Sequence, residues 1–343
     1  MKNNFEKEFN EVMNEKKEIP TAIRESLDRT YEIIQVRSKR KRNFNIWRRV
    51  TAAACAMIAT GIIVANEQAL ASIQDFFRFG DKGIERSISE GFVQENHQSI
   101  TDQQIQITLS QHFSDANKLG LGFQLQFNNP TILNDQVTEV SLDYRVKNGD
   151  GEYIEEFIPD TKPKISNHSY ISGADQQNPI LDVKTGTIQY EVLLHSNEGI
   201  IPHLNNAVVE IESVNIFYGV DEVKKIDGTW NLPIANTEKN IPITEYTMAN
   251  RSAIIQVSSA KANPTSLQLT FSIEGIFDNE SPFVEKMKLM DEDGHVYEAE
   301  GFQLTEKDQQ TIISTNLPFT SYQQAKKLTF IVEGIGKVEL LKK

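Results

Sequence analysis

Cysteine is all but missing from this 343-residue chain: the one thiol is Cys55. Residues 66–343 therefore have no disulfide to form and no thiolate chemistry to perform. Histidine is scarce as well. His97, His112, His168, His195, His203 and His295 are spread widely, none within H-E-x-x-H and none with a cysteine partner, so no zinc site is expected. G-x-S-x-G, G-x-x-x-x-G-K-[ST] and G-x-G-x-x-G are absent too. No catalytic residue, cofactor or metal set is expected, and no small-molecule substrate is identified. Positive charge is sparse over most of the chain. Residues 66–343 carry 22 Lys/Arg against 40 Asp/Glu, a net of −18, which argues against nucleic acid as a ligand.

What is present is concentrated at one junction. Arg37 to Arg49 hold seven positive charges and no negative one, and the uncharged run Val50–Ala65 follows at once. A basic cluster against an apolar stretch predicts a membrane span with its basic side kept in the cytoplasm. The run is 16 residues, about 24 Å as a helix, against about 30 Å of hydrocarbon. Ile46 and Trp47 extend it, and Arg48 and Arg49 can snorkel. The expected organisation is a cytoplasmic amphipathic helical tail over 1–49, a transmembrane helix over 50–70, an external mainly-β domain over 71–240, and an immunoglobulin-like β-sandwich over 241–343.

A cleaved signal peptide is the alternative for the span. Ala69-Leu70-Ala71 is an A-x-A pattern shortly after the apolar run, so Ala69 and Ala71 are the candidate processing residues. The 49 residues ahead of the run are very long for the leading segment of such a peptide. A lipoprotein reading at Cys55 fails, because only five residues of the run precede it. Every reading places the residues after Leu70 outside the cell. A thiol-free exported part suits a Gram-positive surface better than an animal secretory route.

In the tail, Phe5, Phe9, Val12 and Met13 fall on one helical stripe. Ile23, Leu27, Tyr31 and Ile34 form a second, opened by Ile19-Pro20. Neither stripe is wide enough to build a core, and isolated helices this short are marginal in water. The stripe needs a surface: a partner protein receiving a helix in a groove, the lipid face, or the tail itself. Phe5, Phe9, Ile23, Leu27 and Ile34 are the candidate partner-binding residues.

Beyond Ala71 the pattern is helical or mixed to Val93, interrupted by Gly80 and Gly83, and then alternates. Ile105–Leu109, Leu119–Phe127 and Val140–Val146 read as half-buried antiparallel strands. Asn148-Gly149-Asp150-Gly151 reads as a hairpin turn. Further strands are expected at Ile188–Leu194, Val208–Tyr218, Ala253–Ser258, Leu267–Ile273, Met287–Met290, Ile312–Ser314 and Leu328–Glu333, with a boundary in Leu232–Asn250. Asp291-Glu292-Asp293-Gly294 lacks the ligand spacing of a calcium loop and reads as a turn. The fold class is mainly β, with two external sandwich-like domains.

Several segments carry a family resemblance: Ile19-Pro20, Ala69-Leu70-Ala71-Ser72-Ile73, Phe76 to Ile84, and Ser99-Ile100-Thr101-Asp102 leading into Ile105-x-Ile107-Thr108-Leu109. Together they resemble Gram-positive single-pass membrane proteins with an external domain of unknown function and a C-terminal immunoglobulin-like domain. Those proteins resemble anti-sigma factors. The resemblance implies a tail that sequesters a cytoplasmic regulator, an extracytoplasmic-function sigma factor, and an outer part that senses the envelope. Release would follow proteolysis near Asn66–Ser72. The tail has neither His nor Cys, so it is not of the zinc-dependent kind. A surface adhesion or scaffold protein anchored by the same helix, or an exported domain freed by signal peptidase, is the alternative.

Overall fold

The computed structural model describes residues 77, 79–159, 162–166, 170–176, 179–197, 199–219, 222–235, 241–250, 254–275, 277, 283 and 286–343. Phe5, Phe9, Ile23, Leu27, Ile34, Ala69, Ala71 and the expected span lie outside them. The described residues belong to one compact unit, Ala71–Lys343. They are mainly β, with one α-helix and several antiparallel sheets. No helix among them is long and apolar enough to cross a membrane.

The helix, α1 (Lys82–Ser89), is short and defined at both ends. The Asp81 side chain accepts from the amides of Gly83 and Ile84, two of the donors that a helix start leaves unpaired. At the other end Gly91, at φ 77°, donates to Ile88 O while Phe92 N donates to Ser87 O, the paired bonds of a Schellman stop.

Strands β1 (Gln94–Asp102), β2 (Ile105–Ser114), β3 (Lys118–Phe127), β4 (Val137–Lys147), β5 (Tyr153–Phe157), β6 (Gly173–Gln176), β7 (Ile180–Asp182), β8 (Thr187–His195), β9 (Val208–Tyr218) and β10 (Glu222–Pro233) follow in order. They make two sheets, β1-β2-β3-β8-β6 with β7 also on β8, and β10-β9-β4-β5. Alternation explains the burial. Ile105, Ile107 and Leu109 on β2, Leu119 to Phe127 on β3, and Val140 to Val146 on β4 face one shared core. Trp230 closes it: its Nε1 donates to Ile105 O at 3.0 Å across the two sheets. Gly228 lies where a Cβ would meet the Trp230 ring at 2.3 Å, beside a register shift between Asp227 and Trp230.

The remaining strands are β11 (Thr244–Met248), β12 (Ile255–Ala262), β13 (Leu267–Glu274), β14 (Met287–Asp291), β15 (Val296–Glu298), β16 (Gly301–Lys307), β17 (Gln310–Leu317), β18 (Lys327–Val332) and β19 (Gly336–Lys342). They form a nine-stranded sheet that turns over at β11. Thr244 and Glu245 pair with β12, whereas Tyr246 to Met248 pair with β19. The two faces enclose a second core, where Phe271 and Phe330 meet edge to face at 5.0 Å. The first core runs from Ile105 to Ile234 and the second from Tyr246 to Leu340.

The expected strand at Ala253–Ser258 sits further along, at Ile255–Ala262 with a register shift between Val257 and Ser259. Gly83, read as a break, lies inside α1. The stretch Leu232–Asn250 contains the end of β10 and all of β11.

Candidate functional site

Between the two cores lies a polar seam. Its centre is Asp115, in the turn from β2 to β3. One carboxylate oxygen accepts from Asn117 N at 2.8 Å and Lys118 N at 2.9 Å, closing its own turn. The other accepts from Thr265 N at 2.8 Å and Thr265 Oγ1 at 2.7 Å, in the turn from β12 to β13. Burial pushes the Asp115 carboxyl up, against the pull of those four donors. Asn117 extends the link through Nδ2, which donates to Ser266 O at 3.1 Å and Ser266 Oγ at 2.9 Å. Further along, Asn316 Nδ2 on β17 donates to Ser196 O and Asn197 Oδ1, both at 2.8 Å.

Helix α1 is wedged into the same seam. Ser87 Oγ donates to Gly83 O within the helix and to Pro264 O beyond it. A Cβ on Gly83 would lie 1.9 Å from Thr265 O, so only glycine lets helix and turn come this close. The residues before the helix are seated as firmly. Phe77 is fully buried, edge to face with Phe113 at 4.9 Å, and its amide donates to Glu191 Oε2 at 2.8 Å. Its φ of 67° is a conformation that bulky residues rarely adopt, costing about 1–3 kcal/mol where it occurs. Phe77, Ile84, Phe113 and Leu193 make a third, smaller apolar cluster.

One buried cation joins the segment before α1 to both β parts. Lys118 Nζ, at the start of β3, contacts Asp81 Oδ2 and, at 2.5 Å, Glu300 Oε2 just before β16. Burial would lower the Lys118 pKa, but Glu300 and Asp81 outweigh it and raise it, so the ammonium is kept. Asp81 thus has two tasks: Oδ1 caps α1 and Oδ2 holds Lys118. Glu300 shares its cation with Asp81, and burial pushes its carboxyl up to about 7. Beside this triad opens a cavity of about 240 Å³, lined among others by Asp175, His195 and Asn316. Burial lowers the His195 pKa, partly offset by Asp175 at 3.7 Å.

Two other groups of acidic residues lie away from this seam. Asp291 accepts from the amides of Asp293 and His295 and from the Tyr297 hydroxyl, in the turn between β14 and β15. Asp291, Asp293 and His295 are close enough to share an ion, but the Asp291 carboxylate is occupied by its own turn. Burial would raise the Asp291 pKa; the bonds from His295 and Tyr297 hold it below its usual value. Glu155 and Glu156 are successive on β5 and face opposite sides. Glu156 holds Arg145 Nε at 2.8 Å and accepts from Ile165 N and Ser166 N.

None of Asp115, Lys118, Glu300 and Asn316 was singled out by sequence reasoning. Asp81 entered only within the Phe76–Ile84 segment and Gly83 there and as an expected break, and no spacing rule links Lys118 to Asp81 or to Glu300, 37 and 182 residues away. Residues 41–127 match the family described as Domain of unknown function (DUF4179). The matched segment begins in the basic cluster and carries Asp81, Asp115 and Lys118. No curated protein matches the chain. Among solved structures, the crystal structure of a conserved domain protein from Bacillus anthracis is similar at 15% identity, covering 70% of this chain and 77% of that one, with a TM-score of 0.44.

Proposed function

We propose that the chain is a single-pass membrane signalling protein. In this reading the tail over 1–49 holds a cytoplasmic regulator of the sigma-factor class, the run within 50–70 spans the membrane, and two β-sandwich-like domains outside report on the envelope. The charge split between +5 for residues 1–49 and −18 for residues 66–343 supports the topology. The observation that carries the signalling half is the seating of Phe77–Ile84. The first described residues after the uncharged run touch both β parts: Glu191 and Lys118 from one bond Phe77 and Asp81, Thr265 O from the other packs against Gly83, and Glu300 is linked through Lys118. An anchor that only tethers has no use for such a grip. A signalling protein needs one, because a change in either β part must reach the chain that enters the membrane.

The test is capture of the regulator by the full-length protein. Ile23→Asp with Leu27→Asp places two charges on the tail stripe. The expected result is that a sigma-class protein co-purifies with the unaltered chain and is lost from the variant, while both remain in the membrane fraction. Undiminished capture by the variant contradicts the reading.

A further inference from the structure

We propose that the cavity beside Lys118 is a binding site for a primary ammonium group, supplied by a free cationic amine or by a lysine side chain of a cationic peptide. As the input to a sensor this rests on the function proposed above; the binding itself does not. Three carboxyl groups, Asp81, Asp175 and Glu300, line the cavity, and among the described lining residues the only ammonium is Lys118, already shared between Asp81 and Glu300. His195 adds no dependable charge, because burial favours its neutral form. Burial pushes the Glu300 carboxyl up to about 7, Lys118 pulls it down and the neighbouring Asp81 adds to the rise.

The shape of the site selects the kind of cation. A bare divalent ion needs several ligand atoms converging on one point. Among the described residues the one His/acid triad that converges so is Asp291, Asp293 and His295, in a different turn. An ammonium instead offers three donors in separate directions and suits acceptors that are spread out. Asn316 also lines the cavity: its Nδ2 is fixed by Ser196 O and Asn197 Oδ1, and its buried Oδ1 has no partner among the described residues. Phe79 and Leu193 in the lining provide an apolar wall for an alkyl stem. At about 240 Å³ the cavity falls below the ~300–1,000 Å³ of drug-sized sites and fits a single side chain. The net charge of −18 on residues 66–343 draws cations toward it. A second ammonium beside Glu300 competes with Lys118 for that carboxylate, and so acts on the link that holds Asp81.

The experiment is calorimetric titration of the full-length protein in detergent, at fixed ionic strength, with butylamine and with a blocked Gly-Lys-Gly peptide. The norleucine peptide serves as the uncharged control. Saturable binding of the amine, the lysine peptide or both is expected, with none of the norleucine peptide; whichever of the two binds identifies the source. Asp175→Asn and Glu300→Gln are each expected to weaken binding by about tenfold or more, and Asp293→Asn, in the separate turn, to leave it unchanged. With Asp81, Lys118, Asp175 and His195 as the charged and titratable neighbours of Glu300, binding is expected to be tighter at about pH 8 than at about pH 6, because Glu300 is then ionised. Absence of saturable binding overturns the proposal. So does binding that Asp175→Asn leaves intact, a variant at an exposed position that keeps the test valid if Glu300→Gln unfolds. No tail partner is present in the titration, so its failure leaves regulator capture standing, and failure of capture leaves this result standing.

Discussion

Two groups of acidic residues in this molecule, one contiguous in sequence and one scattered along it, behave oppositely in structure. The turn at Asp291 keeps its carboxylate for itself: every donor to it comes from residues 293 to 297. The seam at Asp115 and Lys118 does the reverse. Its bonds run from Asp115 to Thr265, from Lys118 to Asp81 and Glu300, and from Asn117 to Ser266, joining segments up to 182 residues apart. The turn is half-exposed, whereas Asp115, Asn117, Lys118, Thr265 and Ser266 of the seam are buried, so equal chemistry has unequal weight. A local cluster shapes one hairpin, whereas a long-range one decides whether two β parts and the helix before them behave as one body.

The largest effect expected from this contrast is at Asp115. Asp115→Ala leaves the Thr265 amide and hydroxyl and the amides of Asn117 and Lys118 without their acceptor, at a cost of about 3–5 kcal/mol by analogy with a broken buried pair. Chemical denaturation measures it, and separate unfolding of the two cores would show the seam opening first. Gly83→Ala comes next and has a diagnostic sign. On a free helix surface it would stabilise by up to about 1 kcal/mol. Here the new Cβ meets Thr265 O, so a loss of about 1–3 kcal/mol is expected from overpacking. Asp291→Ala is expected to cost about 1 kcal/mol and to leave the seam untouched. If it costs as much as Asp115→Ala, the contrast between local and long-range clusters fails.

The smallest effect is one of pH. Glu300 has a folded pKa raised from 4.5 to about 7. Below about 4.5 it is protonated folded and unfolded alike, and its contribution is fully present. As pH rises to about 7 the unfolded chain ionises first, so this contribution is lost. Thermal unfolding of the unaltered protein should therefore lose stability over that window, relative to Glu300→Gln, whose side chain does not titrate.

Legibility in the sequence followed the same division. Strands β2, β3, β4 and β9 were readable because apolar residues alternate along them, even though β3 is buried on both faces over Lys118–Phe123. Strand β1, QENHQSITD, was not, since it is an edge strand with a single buried residue, Asn96. Its turn into β2 uses Gln103 and Gln104 at positive φ, and the turn between β16 and β17 uses Asp308 and Gln309 likewise, so no glycine signalled either hairpin. Strand β10 was hidden by the register shift at Asp227–Trp230. The Asp291 turn was legible because everything that defines it lies within seven residues. The seam was not: Lys118, Glu300 and Asn316 are ordinary polar residues until the fold brings them together.

The central claim is that the segment before α1 is held by the seam and follows it. Hydrogen exchange on the full-length protein tests this most directly, comparing the amides of Gly83, Ile84 and Thr265 in the unaltered chain and in Asp115→Asn. Exchange at Thr265 is expected to accelerate together with that at Gly83 and Ile84, because helix cap and turn open as one. If Thr265 accelerates while Gly83 and Ile84 keep their protection, the helix is held by its own cap alone and the claim is wrong.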